Sequence, residues 1–331
     1  MKPLKVTYVE TQGDPVPTWV SKSLKEHGID LSIHPCTSGQ ELALHAGDAD
    51  VVWVFGSPVI TADRLGTLAR CGAILRTGSG TDNIPVEAAT KQGIIVANTP
   101  AAVYDEVADH TIGLLFAVIR QIVFHDRALR AGQWDRREKI HRWHLQGNVL
   151  GMVGFGRIAR SVAKKMRGFS LQIYVYDPFI DLESLGQEWI RSVNLEELLS
   201  QSNFVSLHCP LMKETHHLIG ESQLRLMKPE SILINTCRGP VIDELALIRA
   251  LEEGWIAAAG LDVFEQEPLD SKSPLLDMDN VVLTPHVAGC SDRSQDSFWC
   301  LSLETLISLA EGRWPEAYVN PEVKPRWSMS N

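Results

Sequence analysis

The chain has 331 residues, 44% of them hydrophobic and 22% charged, which predicts an ordinary globular protein of roughly two domains. Its net charge of -10 argues against sequence-independent binding to nucleic acid, since phosphate binding needs concentrated Lys and Arg side chains. Six dispersed cysteines without a C-x-x-C pair predict reduced thiols and no metal site, and no apolar run approaches the ~20 residues of a membrane span, so we expect a cytoplasmic protein.

The first hundred residues alternate between strand and helix patterns. Short apolar runs rich in Val and Ile are separated by stretches of helical period, and the runs are "LKVTYVE", "DVVWVF", "GAILRTG" and "GIIVAN". This alternation is typical of βα units and predicts a parallel sheet. The following stretch from Val103 to Trp134 keeps helical spacing for longer than a usual crossover, and it predicts one long helix that joins the domains.

A second series of strand patterns begins near residue 148. Its six candidates predict a six-stranded doubly wound sheet, and they are "NVLGMVGF", "LQIYVYD", "NFVSLHC", "SILINT", "AAGLDVF" and "NVVLTPH". The last pattern, "SDRSQDSFWCLSLETLISLAEGRW", predicts a helix that returns to complete the first domain. The predicted domains are therefore 1–100 with 290–331, and 101–289.

A glycine-rich motif follows the first strand of this second series. Gly154-x-Gly156-x-x-Ala159 lies between an apolar strand and a helix, which is the context of the dinucleotide fingerprint. Gly154 permits a tight turn, Gly156 lets the backbone approach a pyrophosphate, and Ala159 lets helix and strand pack closely. The alternative is a glycine-containing turn that binds no ligand.

The end of the next strand distinguishes these two possibilities. Asp177 lies 18 residues after Ala159, near the spacing at which a carboxylate binds the adenosine ribose. A carboxylate there repels a 2'-phosphate, so the sequence favours NAD over NADP. The alternative is a simple Asp-Pro turn, because "DPF" also starts one.

Polar side chains follow the last three predicted strands. Arg238 ends the strand in "SILINTCR", and Asp262, Glu267 and His286 lie just past the next two strands. Ligands of doubly wound sheets collect at these carboxyl ends. Reduction of a 2-keto acid needs a forked cation for the carboxylate and carbonyl, which Arg238 supplies, and a proton donor, which His286 supplies with Glu267 fixing its tautomer. Alone, such an arginine is more often part of a surface ion pair, such a histidine is more often structural, and "EQEP" is more often a solvated turn.

These motifs together resemble a known family. The segments "GSGTDNI", "VGFGRIAR", "YDPF", "LHCPLMKETHHLIG", "INTCRGPVIDE", "GLDVFEQEPL" and "TPHVAG" are similar, in order, to the D-isomer-specific 2-hydroxyacid dehydrogenases over about residues 76 to 289. The resemblance implies an α/β fold of two doubly wound domains, a Rossmann NAD-binding domain and a flavodoxin-like substrate domain formed by both chain ends. It also implies that Arg238, Glu267 and His286 are catalytic. This chain departs from the family pattern at Ala159 and at Pro240.

The resemblance also implies the remaining ligands of NAD and substrate. The backbone of Gly78 to Thr81 is expected to bind the substrate carboxylate, and Asp262 the nicotinamide amide. The expected cofactor-binding residues are Ser79, Gly154, Gly156, Arg157, Ile158, Asp177, Cys209, Pro210, Thr215, Thr236, Cys237, Asp262, His286, Ala288 and Gly289. The expected substrate-binding residues are Gly56, Ser57, Gly78, Ser79, Gly80, Arg238, His286 and Trp143.

Two questions of function stay open at this point. An NAD-dependent enzyme and an NAD(H)-sensing corepressor of the same fold both match the motifs, and the acidic chain without interaction tails favours the enzyme. A small 2-keto acid is favoured over a 3-phosphoglycerate substrate, because "WVFGSPVITADRL" has no cation before Arg64 and because no regulatory domain is expected after Asn331. The resemblance further implies a homodimer in which Trp143 or Trp134 closes the neighbouring pocket.

Overall fold

The computed structural model describes residues 3–10, 15–56, 60–134, 143–181 and 189–330. The chain divides into two compact units. The terminal unit contains residues 1–103 and 291–331, and the central unit contains residues 104–290. The first boundary lies at 103 where the sequence predicted 100.

The terminal unit is built on a five-stranded parallel sheet in the order β2-β1-β3-β4-β5. Its strands are β1 Leu4–Tyr8, β2 Ile29–Ile33, β3 Val51–Val54, β4 Ala73–Arg76 and β5 Ile95–Asn98. Its helices are α1 Thr18–Glu26, α2 Gly39–Ala46, α3 Ala62–Leu65, α4 Val86–Lys91 and, from the chain end, α11 Ser294–Ala310. This strand order is the flavodoxin-like one that the sequence predicted.

The C-terminal segment returns to this sheet, as predicted. Trp299 of α11 is 2% exposed and packs edge-on against Trp53 of β3, with 5.7 Å between ring centroids. Asn320 is fully buried, accepts a hydrogen bond from Val96 N at 2.9 Å and donates one to Ile94 O at 2.9 Å. Both ends of the chain therefore share one core.

The central unit is built on a seven-stranded parallel sheet in the order β12-β11-β10-β9-β6-β7-β8. The strands are β6 Val149–Val153, β7 Gln172–Tyr176, β8 Ile190–Ser192, β9 Phe204–Leu207, β10 Ile232–Asn235, β11 Ala258–Leu261 and β12 Val281–Leu283. The sequence predicted six of them. The edge strand β8 was missed because its three residues, Ile-Arg-Ser, contain no apolar run and two of them are exposed.

The helices of the central unit cover both faces of its sheet. They are α5 Tyr104–Ile119, α6 Ile122–Arg130, α7 Arg157–Met166, α8 Leu195–Gln201, α9 Glu221–Leu226 and α10 Glu244–Glu252. Apolar residues of α5 and α7 pack on one face, and those of α8, α9 and α10 on the other. Strands β6, β9 and β10 are therefore buried along their whole length, as their continuous apolar runs require.

The predicted long helix is in fact two helices. Gln121 adopts a left-handed conformation, with φ of 55°, and α5 and α6 meet there at 61°. A residue in that conformation cannot continue a right-handed helix. The local hydrophobic period does not indicate this break. Among the described residues, no single helix has the length and apolarity to cross a membrane, although α5 and α6 together would pass that test of length and composition.

We expect Gly151→Ala to destabilise the central unit. A methyl group there would lie 2.3 Å from Ser202 Oγ and 2.6 Å from Leu198 Cδ2, so β6 and α8 would have to separate. Overpacking of this kind costs about 1–3 kcal/mol and lowers Tm. The matched control is Gly168→Ala, which meets no atom within 4 Å. Equal melting temperatures of the two variants in circular dichroism would contradict this packing.

Candidate active site

The glycine-rich turn lies between β6 and α7. Gly154 has φ of +87°, and a Cβ atom there would lie 2.9 Å from the backbone of His208 and Cys209. Gly156 is the N-cap of α7, and a Cβ atom there would meet nothing within 4 Å. The first turn of the helix therefore has space in front of it and N–H groups that no side chain caps. This arrangement fits a bound pyrophosphate.

Asp177 follows β7 and lies against this turn. Its Oδ2 accepts a hydrogen bond from Phe155 N at 2.8 Å, and its Oδ1 accepts one from Phe179 N at 2.9 Å. These bonds hold the carboxylate beside the glycine loop, where a ribose hydroxyl could donate to it. The Asp-Pro turn that the sequence allowed is also formed, so the two roles are compatible.

Most other predicted cofactor ligands lie at the same edge of the central sheet. Thr215 closes the loop after β9 by donating to Pro210 O at 2.6 Å, and Thr236 shares a 2.7 Å hydrogen bond with Thr111 of α5. Cys209, Thr236 and Ala288 are buried, Ile158, Cys237 and Gly289 are half-buried, and Arg157 is exposed. Their contact with NAD stays a prediction.

Arg238 lies directly after β10 in a tightly held turn. The side chain of buried Asn235 accepts a hydrogen bond from Cys237 N at 3.0 Å and donates one to Arg238 O at 2.9 Å. Arg238 Nη1 donates to Cys237 O at 2.7 Å. Gly239 leaves no room for a side chain, because a Cβ atom would lie 1.8 Å from Phe264 O. The guanidinium is therefore carried on a loop with little freedom.

Asp262 is fully buried and organises the loop after β12. Its carboxylate accepts hydrogen bonds from Thr284 Oγ1 at 2.6 Å, from Val287 N at 2.9 Å and from Ala288 N at 2.9 Å. Its carbonyl oxygen accepts one from His286 N at 2.8 Å. These bonds hold His286 in a left-handed conformation, with φ of 54°. The predicted contact of Asp262 with the nicotinamide amide stays a prediction.

His286 and Glu267 form a hydrogen-bonded pair. His286 Nδ1 lies 2.7 Å from Glu267 Oε2, and Glu267 Oε1 accepts a hydrogen bond from Phe264 N at 3.1 Å. Burial works to raise the pKa of Glu267, but the hydrogen bond and charge of His286, the Phe264 N–H and the charge of Arg238 outweigh it, so the net pKa is lowered. Glu267 is therefore ionised at neutral pH, and the ring atom left for proton transfer is His286 Nε2.

Two supporting histidines were missed in the sequence. His110 of α5 lies 3.0 Å from Thr284 Oγ1 and 3.5 Å from the Asp262 carboxylate. The side chain of His217 is hydrogen-bonded to Glu265, and its backbone N–H donates to Pro240 O at 2.8 Å, next to the Arg238 turn. The signal for His110 was a polar residue in the apolar run "HTIGLLFAVI". No local signal marks His217, because its partner is 48 residues away.

Two of the predicted substrate residues of the terminal unit already make hydrogen bonds within that unit. Gly78 N donates to Thr99 Oγ1 at 2.7 Å, while Ser79 is exposed and Gly80 half-buried. Gly56 N donates to Glu10 Oε2 at 2.8 Å, so this N–H already has an acceptor. Ser57 lies outside the described residues. Substrate binding by these residues stays a prediction.

The structure does not support the predicted role of Trp143. Its side chain is 6% exposed in the core of the central unit, and its indole N–H donates to Glu230 O at 2.6 Å. A side chain held in its own core cannot close a neighbouring pocket without leaving that core. Trp134 is 78% exposed and stays available for the role.

Comparisons with known proteins identify relatives of this chain. The family model "D-isomer specific 2-hydroxyacid dehydrogenase, NAD binding domain" matches residues 112–288, which include the glycine loop and all three predicted catalytic residues. The chain is 41% identical over 326 residues to a glyoxylate reductase of Thermofilum pendens, covering 92% of this chain and 94% of that protein. It is 39% identical over 310 residues to a D-3-phosphoglycerate dehydrogenase of Methanocaldococcus jannaschii, covering 93% of this chain and 58% of that protein. The crystal structure of a glyoxylate reductase from Paecilomyes thermophila is similar at a TM-score of 0.89 and 30% identity, covering 97% and 99% of the two chains.

We expect Asp177→Ser to raise the use of NADPH relative to NADH. The serine keeps a small polar group beside the glycine loop but removes the charge that repels a 2'-phosphate. The ratio of kcat/KM for the two cofactors should change by about tenfold, which corresponds to about 1.4 kcal/mol. Asp181→Ser is the charge-matched control, since Asp181 lies four residues further along the chain. An unchanged ratio in Asp177→Ser would show that this carboxylate does not face the ribose.

Proposed function

Because this chain belongs to the D-isomer-specific 2-hydroxyacid dehydrogenase family, we propose that it interconverts a short, unphosphorylated 2-keto acid and its D-2-hydroxy acid with NAD. The observation that supports this most directly is the His286–Glu267 pair, whose carboxylate also responds to the charge of Arg238. An acid/base group, its orienting carboxylate and a forked cation are the groups that this reaction needs beside a nicotinamide.

Arg238, His286 and Glu267 each have a separate role in the proposed reaction. The glycine loop of Gly154 and Gly156, with Asp177, would hold NAD, which would supply a hydride acceptor for the hydroxy acid and, when reduced, a hydride donor for the keto acid. Arg238 binds the substrate carboxylate and carbonyl oxygens and stabilises the negative charge that develops on the carbonyl oxygen. In reduction, His286 Nε2 donates a proton to that oxygen. In oxidation it accepts the proton back, while Glu267 holds Nδ1 and stabilises the charged imidazolium.

The terminal unit supports an unphosphorylated substrate. The loop after β3 lies against buried Glu10, which follows β1, and the Glu10 carboxylate accepts hydrogen bonds from Phe55 N at 3.1 Å and Gly56 N at 2.8 Å. Arg64 packs against the start of α2, where a Cβ atom on Gly39 would lie 2.8 Å from its Nε. A phosphate beside this loop would meet a negative charge, which disfavours it.

One observation favours the alternative, a 3-phosphoglycerate dehydrogenase. Arg76 ends β4, and its Nη1 would lie 1.8 Å from a Cβ atom on Gly78, so a cation does lie beside the predicted substrate loop. Its Nη1 already donates to Thr77 O at 2.9 Å. We therefore assign Arg76 to support of the loop and retain the short substrate.

We also propose a cytoplasmic homodimer. All six cysteines are free, which is typical of a reducing compartment. Trp134 is our candidate for the tryptophan that reaches the partner subunit, because it is exposed and follows α6.

The proposed activity predicts a defined substrate order. We expect NADH oxidation with glyoxylate or hydroxypyruvate to have a higher kcat/KM than with pyruvate, longer 2-keto acids or 3-phosphohydroxypyruvate. The reason is the carboxylate at the loop where a phosphate would need a cation. A preference for 3-phosphohydroxypyruvate would reject the short substrate, and no turnover with any of these acids would support an NAD(H)-sensing protein instead.

The control for this measurement is a pair of arginine variants. Arg238→Ala should lower kcat/KM for the best substrate by roughly 100- to 1000-fold, since a preorganised charge of this kind is worth about 2.7–4 kcal/mol. Arg249→Ala removes an exposed arginine of α10 and should leave the rate unchanged. Similar rates in both variants would show that Arg238 does not bind the substrate.

Glu267→Gln should shift the pH dependence of reduction. In the wild-type protein the reductive kcat/KM should fall on the acid side as Glu267 is protonated, at a pH below the ordinary carboxyl pKa, because the pKa of Glu267 is lowered. The glutamine has no group to protonate there, so the variant should lack that acid limb, and its kcat/KM should be lower throughout by the loss of a charge-assisted hydrogen bond of about 1.5–3 kcal/mol. Glu253→Gln, at an exposed site after α10, is the control. A lower rate with an unmoved profile would make Glu267 a purely structural residue.

The homodimer predicts twice the mass of one chain in solution. Multi-angle light scattering at micromolar concentration measures this directly. A mass of one chain would reject the dimer and any role of Trp134 in a neighbouring pocket. With the dimer present, Trp134→Ala should broaden the range of accepted 2-keto acids more than it slows the best one.

A further inference from the structure

Two of the six cysteines occupy neighbouring strand ends in the central unit. Cys209 lies two residues after β9 and Cys237 two residues after β10, and the last residues of these parallel strands, Leu207 and Asn235, are paired. Neighbouring strands are about 4.8 Å apart, so the two cysteines lie side by side. The two thiols are near enough for each to shift the pKa of the other.

The surroundings shift the pKa values of the two thiols in opposite directions. The hydrogen bond from Cys237 lowers the pKa of Cys209, against the effect of burial. Burial raises the pKa of Cys237, whose Sγ also lies 3.1 Å from Asn235 Oδ1. Because the thiolate is the reactive form, Cys209 is the nucleophile of the pair and Cys237 is the thiol that can attack next.

The other four cysteines differ from this pair. Cys36 and Cys71 are buried in the terminal unit, where burial raises the pKa of Cys71 to about 12. Cys290 and Cys300 are exposed. A paired, partly activated dithiol therefore occurs at the predicted cofactor site and at neither of these other places.

We propose that Cys209 and Cys237 are an oxidation site for hydrogen peroxide, and that the disulfide form of the protein binds the dinucleotide poorly. The Cys209 thiolate attacks the peroxide oxygen, the O–O bond breaks, and Cys209 becomes a sulfenic acid as water is released. The Cys237 thiol then attacks that sulfur, the disulfide forms, and the sulfenic oxygen leaves as a second water. The two thiols supply both electrons to the peroxide, and an added dithiol reverses the reaction.

The expected loss of dinucleotide binding follows from the contacts of the two cysteines, and it rests on the proposed function. The Gly154 turn packs on Cys209, with 2.9 Å between the position of a Gly154 Cβ atom and Cys209 N. Cys237 N donates a hydrogen bond to Asn235 Oδ1, and Asn235 Nδ2 donates one to Arg238 O at 2.9 Å. Drawing the two sulfur atoms into a covalent bond therefore displaces the glycine turn, the Arg238 turn or both.

The first test is chemical and does not depend on activity. The Cys290→Ser/Cys300→Ser protein, which lacks the exposed thiols, is treated with a small molar excess of hydrogen peroxide and mapped by non-reducing peptide mass spectrometry. We expect one linked peptide pair containing Cys209 and Cys237, which disappears with dithiothreitol and is absent from the added variants Cys209→Ser and Cys237→Ser. Sulfinic or sulfonic acid without a linked pair, or a bridge to another cysteine, would overturn the proposal. Mapping of the starting protein stands even where a serine variant fails to fold.

The second test measures NADH affinity by fluorescence titration of the reduced, oxidised and re-reduced protein. We expect at least a tenfold weaker affinity after oxidation and full recovery with dithiothreitol. A mapped disulfide with unchanged NADH affinity would overturn the proposed effect on the cofactor. Failure of the fully reduced protein to bind NADH would instead overturn the proposed function, and the peptide map would still report whether the two thiols react as a pair.

Discussion

The buried carboxylate of Asp262 is the constraint on which the arrangement of the proposed catalytic groups depends. An ionised carboxylate removed from water is strongly unfavourable unless donors surround it, and here the Thr284 hydroxyl and the N–H groups of Val287 and Ala288 do so. All three donors belong to the loop that carries His286. Satisfying the buried charge therefore also fixes the loop, and it holds His286 in a backbone conformation that a bulky residue seldom adopts.

The rest of the site is assembled by close backbone contacts between neighbouring strand ends. Gly154 lets the cofactor turn touch the backbone after β9, and Gly239 lets the Arg238 turn touch Phe264, whose N–H in turn donates to Glu267. A side chain at either glycine would force the turns apart. The glycine loop, the Arg238 turn and the His286–Glu267 pair are consequently coupled through a few contacts that do not tolerate even a methyl group. This coupling is also why a covalent bond between Cys209 and Cys237 would displace one or both of these turns.

The sequence could predict the parts of this arrangement that depend on local pattern. Alternating strand and helix periods located both sheets, and residues just past buried strands identified Arg238, Glu267 and His286 as neighbours. It could not predict features decided by distant contacts. Gln121 is left-handed although it is not a glycine, so its residue type does not indicate the end of α5. Strand β8 has no apolar run. Trp143 is buried where its indole N–H donates to Glu230 O, which lies 87 residues away. Asp262 was identified at its strand end, but the sequence does not show that its hydrogen-bond donors come from the loop after β12.

Glu267 links the stability of the site to its chemistry on the acid side. Its pKa in the folded protein is lowered, so it contributes stability above the normal carboxyl pKa, and this contribution is lost as the pH falls through the lowered value. The carboxylate is about one-third exposed, so solvent screening limits the size of this contribution. The same protonation removes the acceptor of the His286 ring and the negative charge that stabilises its imidazolium. Acid therefore loosens the orientation of the proposed proton donor, and the lowered pKa of Glu267 keeps this loss away from neutral pH.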